Sequence, residues 1–398
     1  MEKLIFLLIF AIPFGQIVRY ISTFFIILLW VKQYFESKKI NFYYSDLYFP
    51  LLLLVFSAFI SGIINFQSYT ILFKQVWRIF EYIIFFWIGF NFVREEKLLI
   101  QIGWVVTFSG FIMSISSIIE QIQATFRNYP LYILSYRSSG LFKNPNIFGE
   151  YLVLIFPFTY GFLLFQDYLK RVLGKAILII MGIAMFFCGS HGSWFGLYIA
   201  FFIFFFLYYK CMSSKISVKK IITIFISVGL IFIIIVFLAK YGYRTTSFGF
   251  RFIIWKTSWK IFKTNPLFGV GVRNFGKYFP KFLDPLYKEL SFSQAHNIVL
   301  GLLCEQGIVG FSIFLWIFIK IFRKFFVKYH KIENEKFKYI CISIISSVTG
   351  FLTNGMTDFV FAFQENTFLF WFFIGIIYSI LTIENFQQKN LKFDYKNN

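Results

Sequence analysis

Apolar positions along this chain come in long unbroken runs, not in the alternation of a half-buried strand or the narrow stripe of a soluble helix. The runs cover approximately residues 4–12, 16–31, 47–64, 74–93, 98–119, 147–166, 173–189, 192–209, 221–239, 297–322, 338–352 and 366–383. Segments of about 20 apolar residues match a bilayer core of about 30 Å at 1.5 Å rise per residue. The first run is too short to span unaided, and Pro13 and Gly15 break it from the second. The two form either a kinked hairpin or one bent helix. The expected fold is therefore all-α: a polytopic membrane protein of about 12 transmembrane helices, with residues 1–398 as a single integral membrane domain.

Composition supports this. Hydrophobic residues make up 59% of the chain and charged residues only 14%, too little polar surface to cover a globule of this length. The N-terminal Met-Glu-Lys runs into the first apolar stretch with no small-residue cleavage site, so that stretch is expected to be retained. The four cysteines, Cys188, Cys211, Cys304 and Cys341, form no Cys-x-x-Cys pair and lie in or beside apolar runs, which argues against a disulfide framework or a zinc site. A net charge of +21 in a soluble protein would point to nucleic acid. Here no basic–aromatic RNA-binding pattern accompanies it, and Lys and Arg are the topology signal of a membrane protein.

Placing the N-terminus in the cytoplasm puts Lys32, Lys38 and Lys39, then Arg94 and Lys97, Lys170, Arg171 and Lys175, Lys210 to Lys220, and Arg323 to Lys338 on the inside. The C-terminal tail adds Lys389, Lys392 and Lys396 on the same side. The short outside connections near 13–15, 65–73, 190–191 and 357–365 then carry no Lys or Arg. That is the positive-inside pattern, and it favours the higher span count. The expected location is the bacterial inner membrane, with both termini cytoplasmic and the chemistry on the far side.

Two outside loops break the charge pattern. Residues 120–146 hold Arg127, Arg137 and Lys143. Residues 240–296 hold ten Lys and Arg, including Arg244, Arg251 and Arg273, against Asp284 and Glu289 alone. Long loops escape the topology rule, but the sign of this one suits an anionic ligand. Within it, the 250–263 segment places Arg251, Trp255, Ser258, Trp259 and Phe262 on one stripe at helical spacing and Lys256, Lys260 and Lys263 on another. That is an amphipathic helix suited to the membrane interface. A cation on the aromatic stripe is costly without an anionic partner, and a guanidinium fits phosphate oxygens bidentately. Pro266 ends the helix, and Gly269 and Gly271 permit tight turns.

The loop closes on Gln294-Ala295-His296-Asn297 at the mouth of a long apolar run. Of the three histidines, His330 lies in a basic inside loop, whereas His191 and His296 fall at the outer face, where an imidazole can take a proton from a hydroxyl. Other outer-face groups are Lys74, Arg78 and Glu81 on one helix face, with Arg78–Glu81 expected as a structural pair, and Glu150 and Glu305 in outer helical turns. Glu305 either orients His296 or holds a nearby helix N-terminus. No Asp-x-Asp or outer cluster of carboxylates suits Mg²⁺, so neither metal nor cofactor is expected.

These motifs resemble the O-antigen ligase and polymerase family of bacterial envelope glycan assembly. The resemblance is carried by Arg251…Trp255…Asn265-Pro266-Leu267-Phe268-Gly269-Val270-Gly271…Asn274-Phe275, by Ala295-His296-Asn297 with Leu300, Glu305, Gly307, Ile308, Val309 and Gly310 after it, and by Gly140-Leu141-Phe142-Lys143-Asn144-Pro145-Asn146 upstream. It implies a metal-independent glycosyltransferase that moves a glycan from an undecaprenyl-diphosphate carrier to an acceptor glycan or glycolipid at the outer leaflet. Carried over, His296 is the general base and Arg251 a diphosphate ligand. Asn146, Asn297, Lys74 and Arg78 are further candidates for substrate contacts. The family often has Ser-Arg at the turn before the eighth span, where this chain has Ser190-His191. Either His191 is protonated beside the diphosphate, or Arg137, Arg244 or Arg273 replaces the missing guanidinium.

Two other classes compete with this reading. A transporter or flippase for a lipid-linked substrate calls for mid-membrane ionisable residues and repeated halves with broken helices. No internal repeat is visible, and acids are nearly absent from the run centres. An acyltransferase acting on polysaccharide would use a membrane histidine without needing so cationic a loop.

Overall fold

A computed structural model describes residues 2–14, 16–37, 43–128, 136–142, 144–211, 222–223, 225–227, 229 and 246–394. Most of the ninth expected run, the Arg244 candidate and Lys143 lie outside these residues. Among the described residues every regular element is helical: α1 (Glu2–Ala11), α2 (Gln16–Ser37), α3 (Tyr48–Ile64), α4 (Tyr69–Phe92), α5 (Glu96–Asn128), α6 (Pro145–Leu163), α7 (Tyr168–Cys188), α8 (His191–Cys211), α9 (Thr246–Thr264), α10 (Phe275–Phe282), α11 (Ile298–Lys328), α12 (Glu335–Asn354) and α13 (Gln364–Asp394). Each fully described apolar run coincides with one of them. Among the described residues six helices, α5, α6, α7, α8, α11 and α13, are long and apolar enough to cross a membrane; α3 is apolar but shorter. The chain is a membrane protein of helical build.

The helix starts follow ordinary capping chemistry. Asn144 caps α6 with its side-chain oxygen on the Asn146 and Ile147 amides, and Pro145 occupies the first turn, where its missing N–H costs nothing. Asn297 caps α11 through the Leu300 amide, and Asn334 caps α12 through Lys336 and Phe337. Helix α7 ends on Gly189 in the left-handed conformation.

The interior is organised around α12 and α13. Helix α12 packs against α8 and α6, while α13 packs against α4. Small residues set both crossings. A Cβ on Gly196 of α8 would stand 2.6 Å from the Gly350 carbonyl of α12. On the second crossing, a side chain on Gly89 or Gly375 would overlap the facing backbone of α13 or α4. Without a hydrophobic drive between helices in lipid, such close backbone contact is a main source of attraction. Helix α13 is accordingly buried over residues 366–381, including Trp371 and Tyr378.

Two expectations need adjusting. Helix α5 continues to Asn128, so the stretch expected as a loop from 120 begins with two further helical turns. Within α9 the buried stripe runs through Ile254, Thr257, Ser258 and Ile261, rotated from the aromatic stripe expected; Trp259 is exposed, with Arg251, Trp255 and Phe262 half-buried at the margin. The lysines Lys256, Lys260 and Lys263 are exposed as expected. The stripe turned because α9 packs its aliphatic side on α11 and α10 and leaves an indole outward.

Candidate active site

The site begins with a break in α11. Gly307 takes φ 66° and ψ −167° inside the helix, which interrupts the ladder. In an unbroken helix the Ile308 and Val309 amides would bond the Cys304 and Glu305 carbonyls. Instead the segment after α9 inserts. Ile308 and Val309 donate to the Pro266 and Leu267 carbonyls at 2.8 and 3.2 Å, while Val270 and Gly271 donate to the Cys304 and Glu305 carbonyls at 2.8 and 3.0 Å. All four freed groups are satisfied, as buried irregular backbone requires. A side chain at Gly307 would overlap the Leu267 carbonyl, and one at Gly269 would stand 2.5 Å from the Cys304 carbonyl. The spliced segment thus pins the 271–274 turn against α11.

Only two non-glycine residues among those described have positive φ: Arg273 at 63° and His296 at 46°. Such backbone costs of order 1–3 kcal/mol and persists where neighbours over-determine it. For His296 those neighbours are visible. The Trp255 indole of α9 donates to its carbonyl at 3.2 Å, and the Phe292 ring stands edge-on to its imidazole. Asn297 holds the next residue by capping α11 and donating to the Met356 carbonyl at 3.0 Å. Both ends of the Asn297 amide are used in this way.

The imidazole Nδ1 lies 3.0 Å from Asp358 Oδ1. Asp358, almost fully buried after the end of α12, also receives the Phe359 amide at 2.8 Å and the Gln294 side-chain amide at 3.4 Å on Oδ1. Its other oxygen accepts from Asn146 Nδ2 at 3.1 Å. Asn146 in turn accepts from Arg137 Nη2 at 2.5 Å, and Arg137 Nε donates to the Cys188 carbonyl at 2.9 Å. One chain of hydrogen bonds therefore joins His296, Asp358, Asn146 and Arg137, residues from three separate parts of the sequence. Because a carboxylate only accepts, Nδ1 carries the proton and Nε2 is left as the basic nitrogen.

Arg137 packs over the turn that opens α8: a Cβ on Gly189 would lie 3.4 Å from its Cγ. His191 follows two residues later, edge-on to Trp194, and Ser193 accepts from Asn354 Nδ2 at 3.1 Å. The turn carrying His191 is thus fastened to the end of α12 just before Asp358. Arg137 is itself placed from α5. Glu120 accepts the Ser139 and Gly140 amides at 2.8 and 2.6 Å and the Tyr136 hydroxyl at 2.6 Å. Its hydrogen bond pushes the Tyr136 phenol above its ordinary range.

On the other side of Asp358 lies a cavity of about 160 Å³ bordered by Arg78, Arg273, Gln294, Glu305, Gln306 and Phe359, among others. Arg78 is buried, and its Nη2 donates to the Phe361 and Ala362 carbonyls at 3.1 and 2.7 Å. It forms no ion pair with Glu81, contrary to expectation. Glu81 instead accepts from Trp77 at 3.0 Å and Gln364 at 2.9 Å, because the turn between α12 and α13 comes between the two. Glu305 does not orient His296; it takes a backbone hydrogen bond from Arg273. Lys74 is exposed on α4 and does not border the cavity. Arg251 is half-buried on α9, one turn before Trp255. Among the described residues no group of three or more His, Cys, Asp or Glu is arranged to hold a metal ion.

The model of the O-antigen ligase family matches residues 176–315. Among curated proteins, none matches the chain. The ligase-family match takes in His191, Arg251, Arg273, His296 and Asn297, and with them the spliced break in α11. It leaves out Lys74, Arg78, Arg137, Asn146 and Asp358, which the fold brings to the matched region from either end.

Asp358 is the residue that sequence reasoning missed. It sits in the short connection 357–365, which drew attention only for lacking Lys and Arg. The available signal was that this connection carries two acids, Asp358 and Glu365, and no base. Glu120 was missed similarly, because it lies where a loop was expected and not a helix.

Proposed function

We propose that the protein is a glycosyltransferase of the ligase or polymerase kind, moving a glycan from an undecaprenyl-diphosphate carrier to an acceptor hydroxyl on the non-cytoplasmic face of the bacterial inner membrane. The observation that carries this reading is the His296–Asp358 pair at 3.0 Å: its histidine lies in the stretch that matches the ligase family, and Asn146 links its aspartate to Arg137.

Asp358 holds the imidazole in the tautomer whose Nε2 accepts a proton. The acceptor hydroxyl gives its proton to Nε2 while its oxygen attacks the anomeric carbon. The bond from that carbon to the diphosphate oxygen breaks, and the diphosphate leaves with the electron pair. A direct displacement of this kind inverts the anomeric centre. Charge develops on the leaving diphosphate, and preorganised cations stabilise it. Arg251 is assigned to it by the family pattern. Arg137 stands against the turn where His191 occupies the family's usual arginine position, which supports Arg137 as the replacing guanidinium.

The test is glycan transfer in membranes supplied with carrier-linked oligosaccharide and acceptor. His296→Ala should lower turnover by about 10²–10⁴-fold, the usual contribution of a general base, with the protein still present in the membrane. Full turnover in that variant removes the assignment. Chelator should leave the rate unchanged.

A further inference from the structure

The cavity beside Asp358 contains groups that the displacement does not employ. Gln306 is 2% exposed, and its side-chain oxygen accepts from Ser57 at 3.2 Å. Its amide nitrogen has no hydrogen bond to a described residue and is not sealed off, so it faces the cavity that the residue borders. Around it stand guanidinium donors on Arg78 and Arg273, the mixed amide of Gln294 and the Glu305 carboxyl group. Rings of Tyr82, Phe359 and Phe361 form apolar walls.

This mixture selects against a diphosphate. A diphosphate only accepts hydrogen bonds, yet it would face the Glu305 carboxyl group. A sugar ring suits the lining better: each hydroxyl donates and accepts at once, and each ring face is apolar. At about 160 Å³ the space is well below the ~300–1,000 Å³ of sites that enclose a drug-sized ligand. It therefore takes one ring, not an oligosaccharide or a polyprenyl chain. It also adjoins the His296–Asp358 pair. Gln294 borders it and reaches Asp358, and Phe359 follows Asp358 in the chain.

We propose that this cavity is the subsite for one neutral sugar ring of the acceptor, which it holds so that a hydroxyl meets His296. The word acceptor rests on the transferase reading above; the sugar-binding cavity does not. The donor diphosphate then lies on the α8 side of Asp358 and the acceptor ring on the α4 side.

Saturation-transfer NMR on the full chain in lipid nanodiscs tests this, with free hexoses, N-acetylhexosamines and deoxyhexoses as probes. At least one sugar should receive saturation, and inorganic diphosphate should not displace it. Gln306→Leu should weaken that sugar about tenfold, the value of one hydrogen bond of about 1.4 kcal/mol. Ser293→Trp, a change at an exposed residue on the rim, should abolish binding by filling the space. His296→Ala should leave sugar binding intact. Silence from every sugar with folded wild-type protein overturns the proposal, as does competition by diphosphate or a signal that survives Ser293→Trp. Sugar binding without any glycan transfer would instead sink the transferase reading and leave the cavity assigned.

Discussion

The two sides of Asp358 are built on opposite principles. Toward α6 and α8, side chains claim one another: His296 holds Asp358, Asp358 holds Asn146, Asn146 holds Arg137, and Arg137 holds a carbonyl at the end of α7. Toward α4, the Gln306 oxygen accepts from Ser57 while its nitrogen has no partner among the described residues, and Arg273, whose backbone bonds Glu305, borders the cavity. A fully paired network at low dielectric is rigid and fixes a rotamer and a tautomer. Groups left open in a cavity wait for a ligand to complete them. On the proposed reading, the first side fixes the histidine and meets the departing diphosphate, and the second takes the acceptor ring.

Kinetics should separate the two. Asp358→Asn, which keeps the shape but removes the charge, should lower kcat by about 10–100-fold, the usual loss when the group orienting a histidine is altered. In His296→Ala background it should add almost nothing, since residues acting as a unit are not additive. An equal loss in both backgrounds would detach Asp358 from the histidine. Arg251→Lys should cost about 10–100-fold in kcat/KM for the donor, because an ammonium lacks the fork that grips two oxygens.

On the open side, Arg273→Ala should raise acceptor KM by about tenfold and leave kcat nearly unchanged, as loss of one uniform binding contact does. A fall in kcat with unchanged KM would move Arg273 to the diphosphate. Gly307→Ala attacks the element both sides share. The positive φ alone should cost of order 1–3 kcal/mol, and overlap with the Leu267 carbonyl adds to it. The expected readout is a lower melting temperature in detergent with less protein in the membrane; an unchanged melting temperature would mean that the splice bends without resistance.

The smallest effect lies in the connection between α2 and α3. Burial pushes the Asp46 carboxyl up, but the hydrogen bond from Lys324 and the charges of Lys324 and Lys320 outweigh it and leave the group below its usual range. A lowered folded value means that the stabilisation is present above the ordinary aspartate range. It is lost as pH falls through the depressed value. The pair is half-exposed, so Asp46→Asn should cost less than about 1 kcal/mol at neutral pH and flatten the acid side of the stability profile. Its effect on glycan transfer should be nil.

Much of the molecule was legible in advance because its physics is local. The hydrocarbon core sets a length for apolar runs, and each fully described run became a helix. Pro266, Gly269 and Gly271 announced an irregular segment before α11, and the Ala295-His296-Asn297 triplet announced a site. Their true use was hidden. No reading of residue spacing could reveal that Pro266–Gly271 fills a helix break forty residues later, because the vacancy it fills belongs to other residues. The α9 stripe was misjudged for a related reason: aromatic residues make a stripe on paper, but the partner surface chose the aliphatic one.

The sequence by itself determined that this is a helical membrane chain with a cationic loop, and that His296 and Arg251 fall in motifs resembling those of the ligase family. Those are properties of runs, charges and short motifs. The tertiary structure alone decided that Asp358 orients His296, that Arg78 parts from Glu81, and that Arg137 comes to the turn of His191. Each of these depends on helices far apart in the chain being packed at one end of the bundle, and hydrogen bonds of 3 Å between them follow from that packing and from nothing local.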